Sequence, residues 1–240
     1  MKADVILDFL WPRRCEVCGG AADRPGRHVC SSCLMRLPFL PVDGCCRVCG
    51  RAVEGLRGDY VCDECSGADA PAFDRAASAL RFEGAARDMV LGYKSRRMLW
   101  LKTDFCDWLE AVARARLDVA AVDVVLPMPV TLFHRLDRGY NQCGYLAKEL
   151  ARRLGRSFRG DVVRRCGSPR RQAGLDEVSR RENVKGTFTV SRPEFACGRT
   201  VLVVDDVMTT GSTLSECAKT LKGAGAWRVW CVTLAKSIRW

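Results

Sequence analysis

Four Cys-x-x-Cys pairs crowd residues 1–70: Cys15/Cys18, Cys30/Cys33, Cys46/Cys49 and Cys62/Cys65. Eleven residues separate the first two pairs and twelve the last two, so the segment reads as two copies of one unit. So short a stretch buries too little apolar surface to fold by itself. Sets of four thiolates at this spacing favour tetrahedral Zn²⁺, whose binding supplies the missing folding energy. The simplest pairing puts Cys15, Cys18, Cys30 and Cys33 on one ion and Cys46, Cys49, Cys62 and Cys65 on another. Spacing leaves open a cross-braced pairing of first with third knuckle, a single occupied unit, and Cys45 in place of Cys46. Gly19 and Gly50 follow the first knuckle of each unit, where the chain must turn sharply around the metal. His28, with four cysteines at hand, is read as a surface residue.

Nine of the 15 cysteines lie between Cys15 and Cys65. They are read as reduced metal ligands, because MKADVILDFLWPRRC carries an acid in mid-run and lacks the small-residue cleavage site of an export signal. A cytoplasmic location is therefore expected. No window approaches the ~20 apolar residues of a membrane span. The net charge of +11 points to polyanionic partners, phosphorylated small molecules or nucleic acid. Arg13, Arg14, Arg24, Arg27, Arg47, Arg51 and Arg57 make the cysteine region basic, yet few aromatics are interleaved for base stacking. Bracing a neighbouring domain, with weak nucleic-acid contact, is the expected role of this module.

After a linker at 67–71 the pattern turns to alternating strands and helices: a strand at 76–82, helices at 85–93 and 99–117, a strand at 122–130, a helix ending at Leu154, and a last strand at 227–235. The stripe Phe105, Trp108, Leu109 and Val112 belongs in a core. Lys94, Arg96 and Arg97 form a basic cluster that either faces a phosphate or is solvated. Pro127 and Pro129 end the strand they follow, since proline cannot continue a central strand. Arg135 and Arg138 come next and could fork onto phosphate oxygens. Residues 163–188 are polar and basic. The expected domains are 1–70 and 71–240.

Residues 199–213, RTVLVVDDVMTTGST, concentrate the chemistry. An apolar strand at 200–204 leads to Asp205 and Asp206, and Thr-Thr-Gly-Ser-Thr opens a helix marked by Leu214, Ala218 and Leu221. The N–H groups and hydroxyls of Thr209, Thr210, Gly211, Ser212 and Thr213 can surround a phosphate at that helix start. Acceptor-only carboxylates suit two ribose hydroxyls, so the stretch reads ribose 5-phosphate.

This stretch resembles the 5-phosphoribosyl-1-pyrophosphate (PRPP) motif of type I phosphoribosyltransferases. The resemblance implies an α/β fold, a mostly parallel central sheet flanked by helices, with a small N-terminal zinc-ribbon domain. It implies Mg²⁺ near Asp205 and Asp206, pyrophosphate held by Arg135 or Arg138, and a closing loop from which Arg170, Arg171 and Gln172 reach in. Purine-salvage members carry Asp where Thr209 stands, which argues against that chemistry here.

Taken with FDRAASALRFEG, PMPV…RLDRGYNQ and RRQAGLDEVSRRENVKGTF, the double zinc ribbon and the VLVVDDVMTTGSTL motif resemble the ComF family from Cys15 to about Lys236. Gly92-Tyr93-Lys94 departs from the family's Leu-Lys-Tyr. The resemblance implies natural competence or DNA utilisation, handling of incoming single-stranded DNA, and a competence or helicase protein as partner. Two readings follow: a transferase of unknown acceptor, and a non-catalytic module that senses PRPP or binds single-stranded DNA.

Overall fold

A computed structural model describes residues 13–53, 55, 58, 60–131, 141–166 and 186–237. Its centre is a five-stranded parallel sheet in the order β1 (Arg75–Arg81), β7 (Arg228–Lys236), β6 (Thr200–Met208), β2 (Val124–Pro127), β3 (Ser157–Phe158). The strands are buried along most of their length, as a sheet covered on both faces requires, and successive side chains alternate between the two covered faces. On β6, Leu202 and Val204 enter one core while Val201 and Val203 enter the other.

The first core lies under α3 (Gly84–Ser95), α4 (Lys102–Arg116) and α5 (Gln142–Leu154). Phe105, Trp108 and Leu109 of α4 are buried there as the stripe predicted, while Val112 is half-buried at its border. The second core lies under α6 (Ser212–Gly223) and the antiparallel pair β4 (Val163–Arg165) and β5 (Phe188–Val190). Asn141 caps α5 by accepting the Cys143 N–H at 3.0 Å, and Gly155 ends it in the left-handed conformation (φ 65°).

β2 stops at Pro127 as expected, but β6 does not stop at 204. It continues to Met208, because β7 keeps pairing with it through Val207↔Ala235 and Met208↔Lys236. Asp205 and Asp206 therefore stand inside a strand and inherit its rigidity.

The two cysteine units repeat each other bond for bond. Glu16 N–H donates to His28 O and Arg47 N–H to Tyr60 O, both at 2.9 Å, and each unit ends in one helical turn, α1 (Ser31–Leu34) and α2 (Asp63–Ser66). They pack on opposite layers. Cys15, Cys30, Cys33 and Leu37 join the core beneath α3, α4 and α5, whereas Cys46, Cys49 and Cys62 join the core beneath α6. The strap between them runs antiparallel beside β1, with Leu40 N–H to Ala79 O at 2.9 Å and Arg81 N–H to Pro38 O at 2.8 Å. That strap covers backbone groups of β1 that would otherwise be an open sheet edge.

Candidate functional site

Each cysteine unit brings its four sulfurs together: all four Sγ atoms of Cys15, Cys18, Cys30 and Cys33 lie within 4.8 Å of one another, as do those of Cys46, Cys49, Cys62 and Cys65. Cys18 to Cys30 is 3.9 Å and Cys49 to Cys62 is 3.7 Å, against about 3.8 Å for the edge of a tetrahedron with Zn–S bonds near 2.3 Å. The grouping is within units, not cross-braced. Cys45 turns away and donates its thiol to Pro41 O at 3.2 Å. Gly19 (φ 72°) and Gly50 (φ 69°) make the expected turns. A hydrogen bond from Cys49 draws the Cys46 thiol down to about 4 while Cys49 is pushed up. Ser32 draws Cys30 down to about 6 and burial pushes Cys33 up to about 12. Thiols that share protons in this way suit a Zn²⁺ that replaces those protons, and both clusters fit structural zinc.

The first unit is bolted to α4 by charge: Arg27 Nε lies 2.6 Å from Asp107 Oδ2, Arg24 Nη1 lies 3.3 Å from Asp104 Oδ1, and His28 N–H donates to Asp104 at 2.8 Å. The second is bolted to the sheet, with Ala76 N–H to Val48 O at 2.6 Å and Lys236 Nζ to Cys49 O at 3.1 Å. The bracing role expected of the ribbons is what these contacts perform.

At the end of β6, Asp206 is buried and fully engaged. Lys94 Nζ reaches it at 3.0 Å and Gln142 Nε2 donates to it at 3.2 Å. Asp205 is half-buried. Its Oδ1 accepts the Cys143 thiol at 3.4 Å and the Asp206 N–H at 2.9 Å. Burial first, and the neighbouring Asp206 second, push the Asp205 carboxyl up to about 7. Burial works against the Lys94 ammonium, but the Asp206 and Asp205 carboxylates outweigh it and its pKa rises. Burial likewise holds the Cys143 thiol protonated, well above its usual range.

The turn that follows has the geometry of a helix start open to an anion. Gly211 adopts φ 80° as the N-cap of α6, Thr210 Oγ1 and Ser212 Oγ lie 2.7 Å apart, and the Ser212 N–H donates to Thr210 Oγ1 at 3.3 Å. Asp205, Asp206, Thr209, Thr210, Gly211, Ser212 and Thr213 are thus contiguous across one strand end, turn and helix start. Arg135, Arg138, Arg170, Arg171 and Gln172 lie outside the described residues.

Three participants were given no role by the sequence reading, and a fourth, Lys94, was given an open one. Gln142 and Cys143 open α5 and meet the acids across the layer. The Gln142 Oε1 is buried with no hydrogen-bond partner among the described residues, a spare acceptor beside Asp206. Arg165, stacked 5.4 Å over the Phe188 ring, is close enough to Asp205 for their charges to interact. Lys94, left open between phosphate and solvent, is the counter-ion of Asp206. Only Lys94 carried any signal, as one charge in a basic cluster.

Comparison with known proteins follows this division. The Double zinc ribbon domain family matches residues 6–66 and the Phosphoribosyl transferase domain family matches residues 141–239. Competence protein F of Haemophilus influenzae is 27% identical over 231 residues, 93% of this chain and 97% of that protein. DNA utilization protein YhgH of Escherichia coli (strain K12) is 34% identical over 122 residues, 50% of this chain and 53% of that protein, so the match spans about half of each. A crystal structure of adenine phosphoribosyltransferase from Saccharomyces cerevisiae overlays with a TM-score of 0.35 at 16% identity, over 56% of this chain and 69% of that one. The chain joins a double zinc ribbon to a phosphoribosyltransferase domain, and its similarity to a competence protein runs over 93% of its length. No helix among the described residues is long and apolar enough to cross a membrane.

Proposed function

We propose that this ComF-like chain binds PRPP, or another ribose 5-phosphate ligand, and serves natural competence or DNA utilisation by handling incoming single-stranded DNA in the cytoplasm. The observation that carries the proposal is the unbroken run from Asp205 and Asp206, rigid on β6, into the glycine-hinged turn at the start of α6. The turn supplies N–H groups, hydroxyls and the positive helix end for the 5-phosphate. Asp205 offers the oxygen acceptor for ribose hydroxyls, while Lys94 and Gln142 hold Asp206 in one orientation.

Mg²⁺ would be held at the same place. Carboxylate oxygen of Asp205 suits a hard cation, and the protonated Cys143 thiol does not. When bound, the ion neutralises charge on the pyrophosphate. Transfer at the anomeric carbon would pass through an oxocarbenium-like state, with Arg135 or Arg138 and the segment bearing Gln172 stabilising the departing pyrophosphate. Domains 1–70 and 71–240 divide the work: the names of its relatives, a competence protein and a DNA utilization protein, support a DNA-related role, and the +11 charge supports a polyanionic partner. A competence or helicase protein is the partner this role calls for.

One observation favours the non-catalytic reading, a PRPP sensor or single-stranded-DNA module. Asp206 already has a cation and an amide donor, so that carboxylate is engaged in holding the fold before any ligand arrives.

Calorimetric titration of the zinc-loaded chain with PRPP and Mg²⁺, with and without a single-stranded oligonucleotide, tests both. Micromolar binding followed by pyrophosphate release on adding an acceptor supports the transferase. Binding without turnover supports the sensor, and absence of PRPP binding sinks the proposal. Oligonucleotide affinity should fall steeply with salt if phosphate contacts dominate.

A further inference from the structure

A cavity of about 640 Å³ lies between the second ribbon and the phosphate turn, inside the ~300–1,000 Å³ range of small-molecule sites. Cys49, Arg51, Glu64 and Cys65 give it a ribbon wall, and Thr209, Thr210, Gly211 and Ser212 give it a second wall. Phe73, Phe82 and Met208 add apolar surface.

Most of the charge around it is already matched. Arg51 pairs with Glu64, Glu216 accepts the Gly186 N–H at 2.8 Å, and Asp69 has a partner of its own. Lys236 differs. Its residue is 5% exposed, one donor goes to Cys49 O at 3.1 Å, and no carboxylate pairs with it among the described residues. An ammonium has three donors, and a buried cation whose remaining donors are unmatched is unfavourable. The zinc-loaded thiolates beyond the Cys49 carbonyl balance part of that charge without satisfying those donors.

We infer that this cavity holds a second ligand of the site, a compact molecule with a flat apolar body and an anionic oxygen, such as a carboxylate, received by Lys236. The second zinc ribbon is then a wall of the ligand site and not a brace alone. The inference rests on the reading above that the 209–213 turn holds a phosphate.

Benzoate, with benzamide as the uncharged control, is titrated into the full zinc-loaded chain by ligand-observed NMR, alongside ribose 5-phosphate. Benzoate should bind at least ten-fold tighter than benzamide. Lys236→Met should weaken benzoate at least ten-fold and leave ribose 5-phosphate within two-fold. If that variant does not fold, Phe82→Ala, half-buried on the cavity wall, should weaken benzoate by a similar factor. Ribose 5-phosphate binding without benzoate binding, or benzoate binding untouched by the variant that folds, overturns the inference. Benzoate binding that depends on Lys236 in a chain that ignores ribose 5-phosphate overturns the phosphate reading and leaves the cavity assigned.

Discussion

Lys94 Nζ stands 3.0 Å from Asp206 Oδ2 and 3.2 Å from its Oδ1, joining α3 to β6 across the first core. A buried carboxylate held by a single cation ties the stability of the domain to its ligand site. Lys94→Met should destabilise the chain by about 1.5–3 kcal/mol, the cost of removing a hydrogen bond to a charged group. Adding Asp206→Asn should cost less than the sum of the two single changes, as expected of directly coupled residues. Urea unfolding of the four proteins in the cycle measures this, and strict additivity would break the link.

Asp205 gives the fold a pH dependence of known sign. Its carboxyl titrates near 7 in the folded chain and near its ordinary value of 3.8 once unfolded. Between those values the folded state binds the extra proton, so this group's contribution to stability declines as pH rises from about 4 through about 7. Asp205→Asn should flatten that decline between about pH 4 and about pH 7. Parallel stability curves for the two proteins would show that Asp205 is not the titrating group. Mg²⁺, which needs the carboxylate, should bind the wild type more tightly at pH 8 than at pH 6.

Metal analysis of the full chain should give two zinc ions, one for each group of four thiols. Cys46→Ser with Cys49→Ser should leave one, and so should Cys15→Ser with Cys18→Ser. Structural zinc contributes on the order of 10 kcal/mol in isolated fingers, so each loss should unfold its own unit and not merely loosen it. Proteolysis would then cut within the emptied unit first, and a wild-type zinc count in either variant would refute the assignment.

Gly50→Ala should be costly for two reasons at one position. The residue has φ 69°, and an added Cβ would lie 2.8 Å from the Ala76 carbonyl of β1. The left-handed conformation alone costs about 1–2 kcal/mol, and the carbonyl, held in the sheet, has little room to move. Gly19→Ala shares the conformation (φ 72°) but has open space around it. It should cost only the conformational part, and thermal unfolding of the pair separates the two effects.

Local patterns carried the strands, the helices and the zinc units, because a period of two, a period near 3.6 and a repeated Cys-x-x-Cys are written over neighbouring residues. The run from Asp205 to Thr213 was legible for the same reason. The extension of β6 to Met208 was not, since it depends on β7, whose pairing no local signal in β6 announces. Gln142, Cys143 and Lys236 stayed hidden because ordinary cap or strand-end residues acquire a role only through what the fold sets opposite them. The placement of two ribbons of like spacing on opposite layers was equally unreadable: their cysteine patterns match, and the surfaces that receive them do not.

The pairing of β1 with β7 also sets an order of events during synthesis. β1, its strap and the second ribbon leave the ribosome early, yet the strand that β1 pairs with, and the Lys236 that clasps the Cys49 carbonyl, are made near the end of the described chain. A nascent protein of this kind carries metal-loaded modules beside a strand paired only with its strap until β7 arrives. Messages broken before that point would yield chains that hold zinc, expose a β edge and become substrates for chaperones and proteases.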